Sequence, residues 1–267
     1  ALARSANREA VACFEQALVA LKHLPETRER LEQAIDLRFD LRTSLFPLGE
    51  FERIVGYLRE AESLARTLGD QRRLGQISVY MCHNLVMTGH STEALGFGQS
   101  AQTIADSLED VPLQVTGNLY FGVACLRTDD YRKAEELLLK VLPLLEGDRS
   151  RERLGRPGFP AVMARCYLTW VLADRGRFKE GTVHGQEGLR LAEALDHPYS
   201  LAFASWILAY LHIIRGELSD AVRLLERLAD DPAITPCDLT FLGSCYSAKE
   251  SVSQAVAAYR RAYAKDQ

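Results

Sequence analysis

The sequence has almost none of the spacings that would give it chemistry of its own. Its 267 residues contain no HExxH, no GxxxxGK[ST], no GxSxG and no dinucleotide fingerprint. Those are the patterns by which zinc hydrolases, phosphate-binding loops, serine hydrolases and Rossmann domains place their groups. Positive charge is in deficit: 32 Lys and Arg face 36 Asp and Glu, a net charge of −4. The basic footprint of a nucleic-acid binder is therefore missing. No apolar run suits a bilayer, because Leu201 to Ile214 is interrupted by Ser205 and His212 and is shorter than the roughly 20 residues a spanning helix needs. The six cysteines (Cys13, Cys82, Cys125, Cys166, Cys237, Cys245) form no CxxC pair. Most lie in apolar helical patterns, where a free thiol packs as a small hydrophobe. The six histidines (His23, His83, His90, His184, His197, His212) make no i, i+4 pair at metal spacing. No cofactor and no metal are expected. No leader precedes the first helix and residue 1 already borders it, so the expectation is an excised segment of a cytoplasmic protein.

What the sequence does have is a period. Five turn signals, Gly49-Glu50-Phe51, Gly89-His90-Ser91, Asp129-Asp130-Tyr131, Gly176-Arg177-Phe178 and Gly216-Glu217-Leu218, recur at intervals of 40, 40, 47 and 40 residues. A sixth copy begins at Glu250. Five residues after each anchor stands Ile54, Ala94, Ala134, Gly181, Ala221 or Ala255, and twelve after it Ala61, Ala101, Val141, Gly188, Leu228 or Ala262. Small side chains at those offsets let two helices cross closely. Before each turn runs another amphipathic stretch. The unit is helix, turn, helix.

The last copy, with Leu242-Gly243, Tyr246, Ala255, Tyr259 and Ala262, reproduces the tetratricopeptide signature. Near the front, Ala10, Phe14 and Ala17 match a second helix that lacks its partner. The expected fold is all-α, an α-α superhelix: one tetratricopeptide-like solenoid over 1–267. It comprises an orphan helix at 5–22 and six hairpins, roughly 27–67, 71–107, 112–146, 160–194, 199–229 and 236–265. A forty-residue period predicts helices longer than the repeat's usual ones. Pro112 and Pro198 suit the first turn of helices that follow polar joints. The seven extra residues fall at 147–160, where Gly155, Pro157, Gly158 and Pro160 exclude a continuous helix. That loop is read either as a functional insertion, with Arg151, Arg153 and Arg156 facing an acidic surface, or as a solvated connector. The glycine-rich run Gly96 to Ser100 sits within a second helix, where close packing explains it better than phosphate binding. Glu135 and Glu136 read as a solvated face, and the segment Ala229 to Pro236 as a short connector.

Three columns of the first helices correspond to groove positions in tetratricopeptide arrays, by resemblance to that motif. Ten residues before the anchors stand Phe39, Val79, Leu119, Cys166, Trp206 and Thr240. Six before stand Thr43, His83, Val123, Trp170, Tyr210 and Ser244, and three before Phe46, Val86, Leu126, Ala173, Ile213 and Ser247. Both tryptophans of the chain fall in these columns, beside Phe203. Such aromatic anchors dominate many interfaces, although an apolar stripe at helical spacing is also what a core requires. Arg127 and Asp174, just before their turns, would add polar specificity. The candidate binding residues are thus Phe39, Phe46, His83, Arg127, Trp170, Asp174, Phe203, Trp206 and Tyr210.

The stretches RLGRPGFPAVMARCYLTWVLADRGRFKEG and LAEALDHPYSLAFA, with ARSANREAVACFEQALVAL and LRFDLRTSLFPLGEF, resemble the helical-repeat tail of large bacterial multidomain proteins. In those a class III adenylate cyclase domain precedes an AAA-like ATPase domain of the signal-transduction (STAND) type. The similarity runs to about Leu228, with the HPYS joint and the Pro-Gly loop as its most specific marks. The resemblance implies a non-catalytic regulatory module of a cyclic-nucleotide signalling protein, binding a partner segment or its own upstream ATPase and cyclase domains. Two other functions fit the residues: a small-molecule or peptide sensor of an ATPase-linked transcription regulator, which needs an enclosed pocket, and a self-associating scaffold. An enzyme would need acid, base and nucleophile gathered in one cleft by the fold.

Overall fold

A computed structural model describes residues 2–156 and 158–226, together with 254 and 258. The expected sixth hairpin at 236–265, Leu228, the connector Ala229 to Pro236 and Pro157 otherwise lie outside the described residues. The described residues contain eleven α-helices and no strand. They are α1 (Leu2–Leu21), α2 (Arg28–Leu45), α3 (Phe51–Leu68), α4 (Gln71–Met87), α5 (Ser91–Leu108), α6 (Val111–Arg127), α7 (Tyr131–Leu144), α8 (Pro160–Asp174), α9 (Phe178–Ala194), α10 (Pro198–Ile214) and α11 (Leu218–Glu226). The forty-residue period resolves into helices of 17 and 18 residues, such as α4 and α5, joined by turns of two or three. The chain divides into two compact units, Ala1–Asp129 and a second beginning at Asp130.

Each described anchor residue is left-handed: Gly49, Gly89, Gly176 and Gly216 at φ 72° to 82°, and Asp129 at 61°. That conformation ends the first helix in a Schellman turn. The next amide bonds back across the turn, His90 N to Leu85 O, Arg177 N to Leu172 O and Glu217 N to His212 O, each at 2.8 Å. The joints after the second helices repeat the device at Gly69, Glu109 and Asp196. Asp70 and Asp110 then cap α4 and α6 by accepting from the amides of Arg73 (3.0 Å) and Leu113 (2.9 Å). Pro112 and Pro198 occupy the first turns of α6 and α10. Replacing such a cap by alanine typically costs about 1 kcal/mol.

Among the described residues the small-residue columns are core. Ile54, Ala94, Ala134, Gly181 and Ala221 are buried, as are Ala61, Ala101, Val141 and Gly188. In the first unit Leu41, Leu45, Ile54 and Leu58 are fully buried, each worth about 2 kcal/mol of apolar transfer. Within the Gly96 to Ser100 run, contact explains Gly98, where a Cβ would lie 2.5 Å from the Phe121 ring, but not Gly96, which meets nothing within 4 Å. In the second unit Gly181 and Gly185 let α9 approach Leu211 and Leu208 of α10. Ala258 packs with Ala209, Ala221, Val222 and Leu225.

The insertion contains a 3-10 turn at Gly147–Arg151, with left-handed Gly147, Leu154 and Gly155. It is not simply a solvated strap. Arg156 is buried, its carbonyl accepts two bonds from the Arg153 guanidinium, and the Phe159 amide donates to Ser200 Oγ at 3.2 Å. Arg151 and Arg153 remain exposed.

Candidate functional site

The second unit gathers its aromatic residues along two neighbouring first helices, α8 and α10. Trp170 meets Trp206 edge-on with ring centroids 5.3 Å apart and tilts against Tyr210 at 5.4 Å. Trp206 stacks over Tyr210 at 6.4 Å and contacts Phe203 at 5.9 Å, and Phe203 meets Tyr167 at 5.2 Å. All five rings are half-buried. Trp170, Phe203 and Trp206 rest on a core of Val162, Cys166, Ala192, Ala204 and Ile207. The ladder is therefore neither sealed in the interior nor loose on the surface. At its end the Tyr210 hydroxyl donates to Oδ1 of Asp174 at 2.5 Å. Burial first, then this carboxylate, pushes the Tyr210 phenol well above its ordinary ionisation. Asp174 itself is exposed.

The first unit has a second cluster, which draws Phe39, Phe46 and His83 together. His83 is 8% exposed and lies between two rings, Phe46 at 4.8 Å and Tyr120 at 4.2 Å. Arg42, 2% exposed, brings Nη2 to 2.8 Å from His83 Nδ1. A guanidinium has only donors, so Nδ1 accepts and the His83 proton sits on Nε2. The same guanidinium stands over Phe46 (4.9 Å) and Tyr80 (4.5 Å). Beside this cluster a cleft of about 270 Å³ opens between α2, α4 and α6. Phe39 and Tyr80 form its apolar wall, and Arg73 bridges Asp36 and Asp70 along one rim. Gln76 lines it too, with a buried Nε2 that has no hydrogen-bond partner among the described residues.

Of the nine residues singled out in the sequence, Trp170, Asp174, Phe203, Trp206 and Tyr210 meet in the second unit, and Phe39, Phe46 and His83 in the first. Arg127 is exposed at the end of α6. Missed were Arg42, Tyr80, Tyr120 and Tyr167. The three tyrosines form one column nine residues before their anchors, directly beside the column that holds Trp206. Comparing that register as well would have found them.

Chemistry is sparse. Burial pushes the Cys82 thiol up to about 12 and raises Cys166 as well, which removes both as nucleophiles. His212, Glu217 and Asp220 bring ligand-type atoms within 4.8 Å of one another. Their carboxylates are already engaged by Arg215 and Arg223, so the trio reads as an ion-pair network around a turn.

No protein-family model matches this sequence, and no curated protein matches it. Solved structures do. A Rap protein complexed with Competence and Sporulation Factor superposes with a TM-score of 0.72 at 18% identity, over 98% of this chain and 70% of that one. A tetratricopeptide repeat protein from Parabacteroides merdae gives 0.62 at 16%, over 100% and 94%. A STAND protein with a tetratricopeptide repeat sensor from Pyrococcus horikoshii gives 0.65 at 14%, over 94% of this chain but only 39% of that one. The fold is a tetratricopeptide-like helical array. At these identities the likeness shows the fold alone. Among the described residues no helix is long and apolar enough to cross a membrane.

Proposed function

We propose that this tetratricopeptide-like array is a non-catalytic interaction and regulatory module that takes a protein or peptide segment across the aromatic ladder of its second unit. One observation carries the reading: five half-buried rings of α8 and α10 in mutual contact, ending on an exposed carboxylate. Large rigid rings left half open offer contact area at little entropic cost. Asp174 and the ring faces favour a segment that presents a cationic side chain beside apolar ones. The neighbouring folds agree in kind, since one is a Rap protein in complex with a factor and another a repeat sensor attached to a STAND ATPase. The finer context, a cyclic-nucleotide signalling protein whose ATPase and cyclase domains share the polypeptide, rests on the sequence resemblance. Binding there shifts the attached domains only as far as the ligand prefers one state of the array.

The cleft of the first unit favours a second reading, a sensor for a small molecule or peptide. Its 270 Å³ falls just below the roughly 300–1,000 Å³ of ordinary ligand pockets. It suits one end group of a ligand better than a whole one.

A random peptide display on the immobilised chain tests the proposal. Selected peptides should change the tryptophan emission saturably and lose that response with Trp170→Ala. Peptides that bind equally well to the variant, or compete only at Phe39 and Tyr80, assign the function to the first unit instead.

A further inference from the structure

The cleft of the first unit contains one side chain that its own fold leaves unspent. Gln76 stands on α4 between Gly75 and Ile77, both buried, and a Cβ on Gly75 would lie 2.6 Å from Leu113. Packing this close against α6 fixes how α4 is turned, so Gln76 is held at the cleft it lines. Its Nε2 is buried, and no described residue hydrogen-bonds to any part of its carboxamide. A buried donor without an acceptor costs more than an apolar side chain of the same shape. Leucine there would fold at least as well, so stability does not account for the glutamine.

The rest of the lining tells which partner that amide wants. Arg73 spends its guanidinium on Asp36 and Asp70, and Arg72 holds Asp110 through Nε at 2.6 Å. Asp70 and Asp110 also accept the amides of Arg73 and Leu113 as helix caps. A charged end group would have to compete with these bonds. A neutral group would not.

A carboxamide carries an acceptor and a donor side by side, so its full complement is another amide. In an extended peptide the N–H and C=O of one residue point the same way, as in a hydrogen-bonded pair of antiparallel strands. One glutamine side chain reaches both. Beside Gln76, Phe39 and Tyr80 meet edge to face at 5.2 Å and give the cleft its apolar wall.

Taking the cleft as a ligand site, as the second reading does, we infer that it holds one apolar residue of an extended peptide. The side chain of that residue lies against Phe39 and Tyr80, while Gln76 accepts from its N–H and donates to its C=O. Gln76 is then a specificity-determining residue that selects an amide over an ester of the same shape. The ester lacks the N–H and leaves the Gln76 Oε1 unpaired.

The probe is N-acetyl-leucine N-methylamide, one uncharged apolar residue, set against its analogue with an ester oxygen in place of the leucine N–H. Nuclear magnetic resonance of the whole chain follows the Gln76 side-chain amide and the Phe39 and Tyr80 rings. Binding falls in the millimolar range, the usual scale for a ligand of this size. The amide should shift all three signals saturably. The ester should bind about tenfold more weakly, and so should the amide to Gln76→Leu, the scale of a lost hydrogen bond that leaves its partner unpaired. Gln76→Leu should meanwhile melt no lower than the parent chain, whereas a lower melt gives the glutamine a structural role and counts against the assignment. Equal affinity for amide and ester, or binding indifferent to Gln76→Leu, overturns it. If the Phe39 and Tyr80 rings still respond in that case, the cleft remains a ligand site for another chemical class. If neither compound shifts Phe39, Tyr80 or Gln76, the ligand site falls together with its peptide.

Discussion

The hydroxyl of Tyr210 on α10 donates to Asp174 at the end of α8 across 2.5 Å, tying together the two helices that present the aromatic ladder. The folded chain holds this phenolic proton more tightly than the unfolded chain, whose tyrosine ionises near 10.0. Its contribution to stability is therefore complete below that pH and is lost as pH rises through the raised folded value. Asp174→Asn removes the charge but not the contact, and should bring the ionisation down toward the ordinary range. Ultraviolet titration of tyrosinate reads this directly. An unchanged titration would leave burial as the whole cause. Tyr210→Phe should cost about 1 kcal/mol, the usual worth of one hydrogen bond.

His197 caps α10: its Nδ1 accepts from the Ser200 amide at 3.3 Å and lies 3.0 Å from Ser200 Oγ. Burial, and secondarily Arg153, lower its ionisation below 6.5. The folded chain thus disfavours the proton. The cap's contribution is present above 6.5 and is lost as pH falls through the depressed folded value. His197→Asn should retain the cap and flatten this acid-side loss, and His197→Ala should cost about 1 kcal/mol at neutral pH. Thermal melts of the three proteins across mildly acid pH check both statements.

Two glycines of α5, two positions apart, should respond in opposite directions. Gly98→Ala drives a Cβ to 2.5 Å from Phe121 and should destabilise the chain by about 1–3 kcal/mol. Gly96→Ala meets nothing within 4 Å and should stabilise it by about 0.5–1 kcal/mol. Denaturant midpoints measured side by side decide, and equal effects would contradict the close approach of α5 and α6.

The fold was legible in the sequence because one backbone requirement recurs in one register. A left-handed residue must end each first helix, and Gly49, Gly89, Gly176 and Gly216 supply it. Asp129, at φ 61°, shows that the register outweighs glycine itself. Small residues five and twelve positions later mark the crossings for the same reason. The site was legible only by column. Trp170, Trp206 and Tyr210 share a face that periodicity alone brings together, so their clustering could be anticipated. Arg42 could not be: a lone arginine in an amphipathic helix reads as solvated, and only the gathering of Phe46, Tyr80 and His83 makes a dry seat for its guanidinium. His212, Glu217 and Asp220 were equally hidden, because they straddle a turn and share no helical face. The buried Arg156 went unseen because nothing in a Pro-Gly loop tells which arginine folds inward.

The central claim is that a partner segment lies across Trp170 and its neighbours. Calorimetric affinity of a selected peptide for the chain and for Trp170→Ala tests it most directly, with circular dichroism confirming that both are folded. The account predicts a loss of about 2 kcal/mol or more, the scale of an interfacial tryptophan anchor, which is roughly thirtyfold in affinity. An affinity unchanged within about twofold, a few tenths of a kcal/mol, would contradict it and leave the aromatic ladder as packing between two helices.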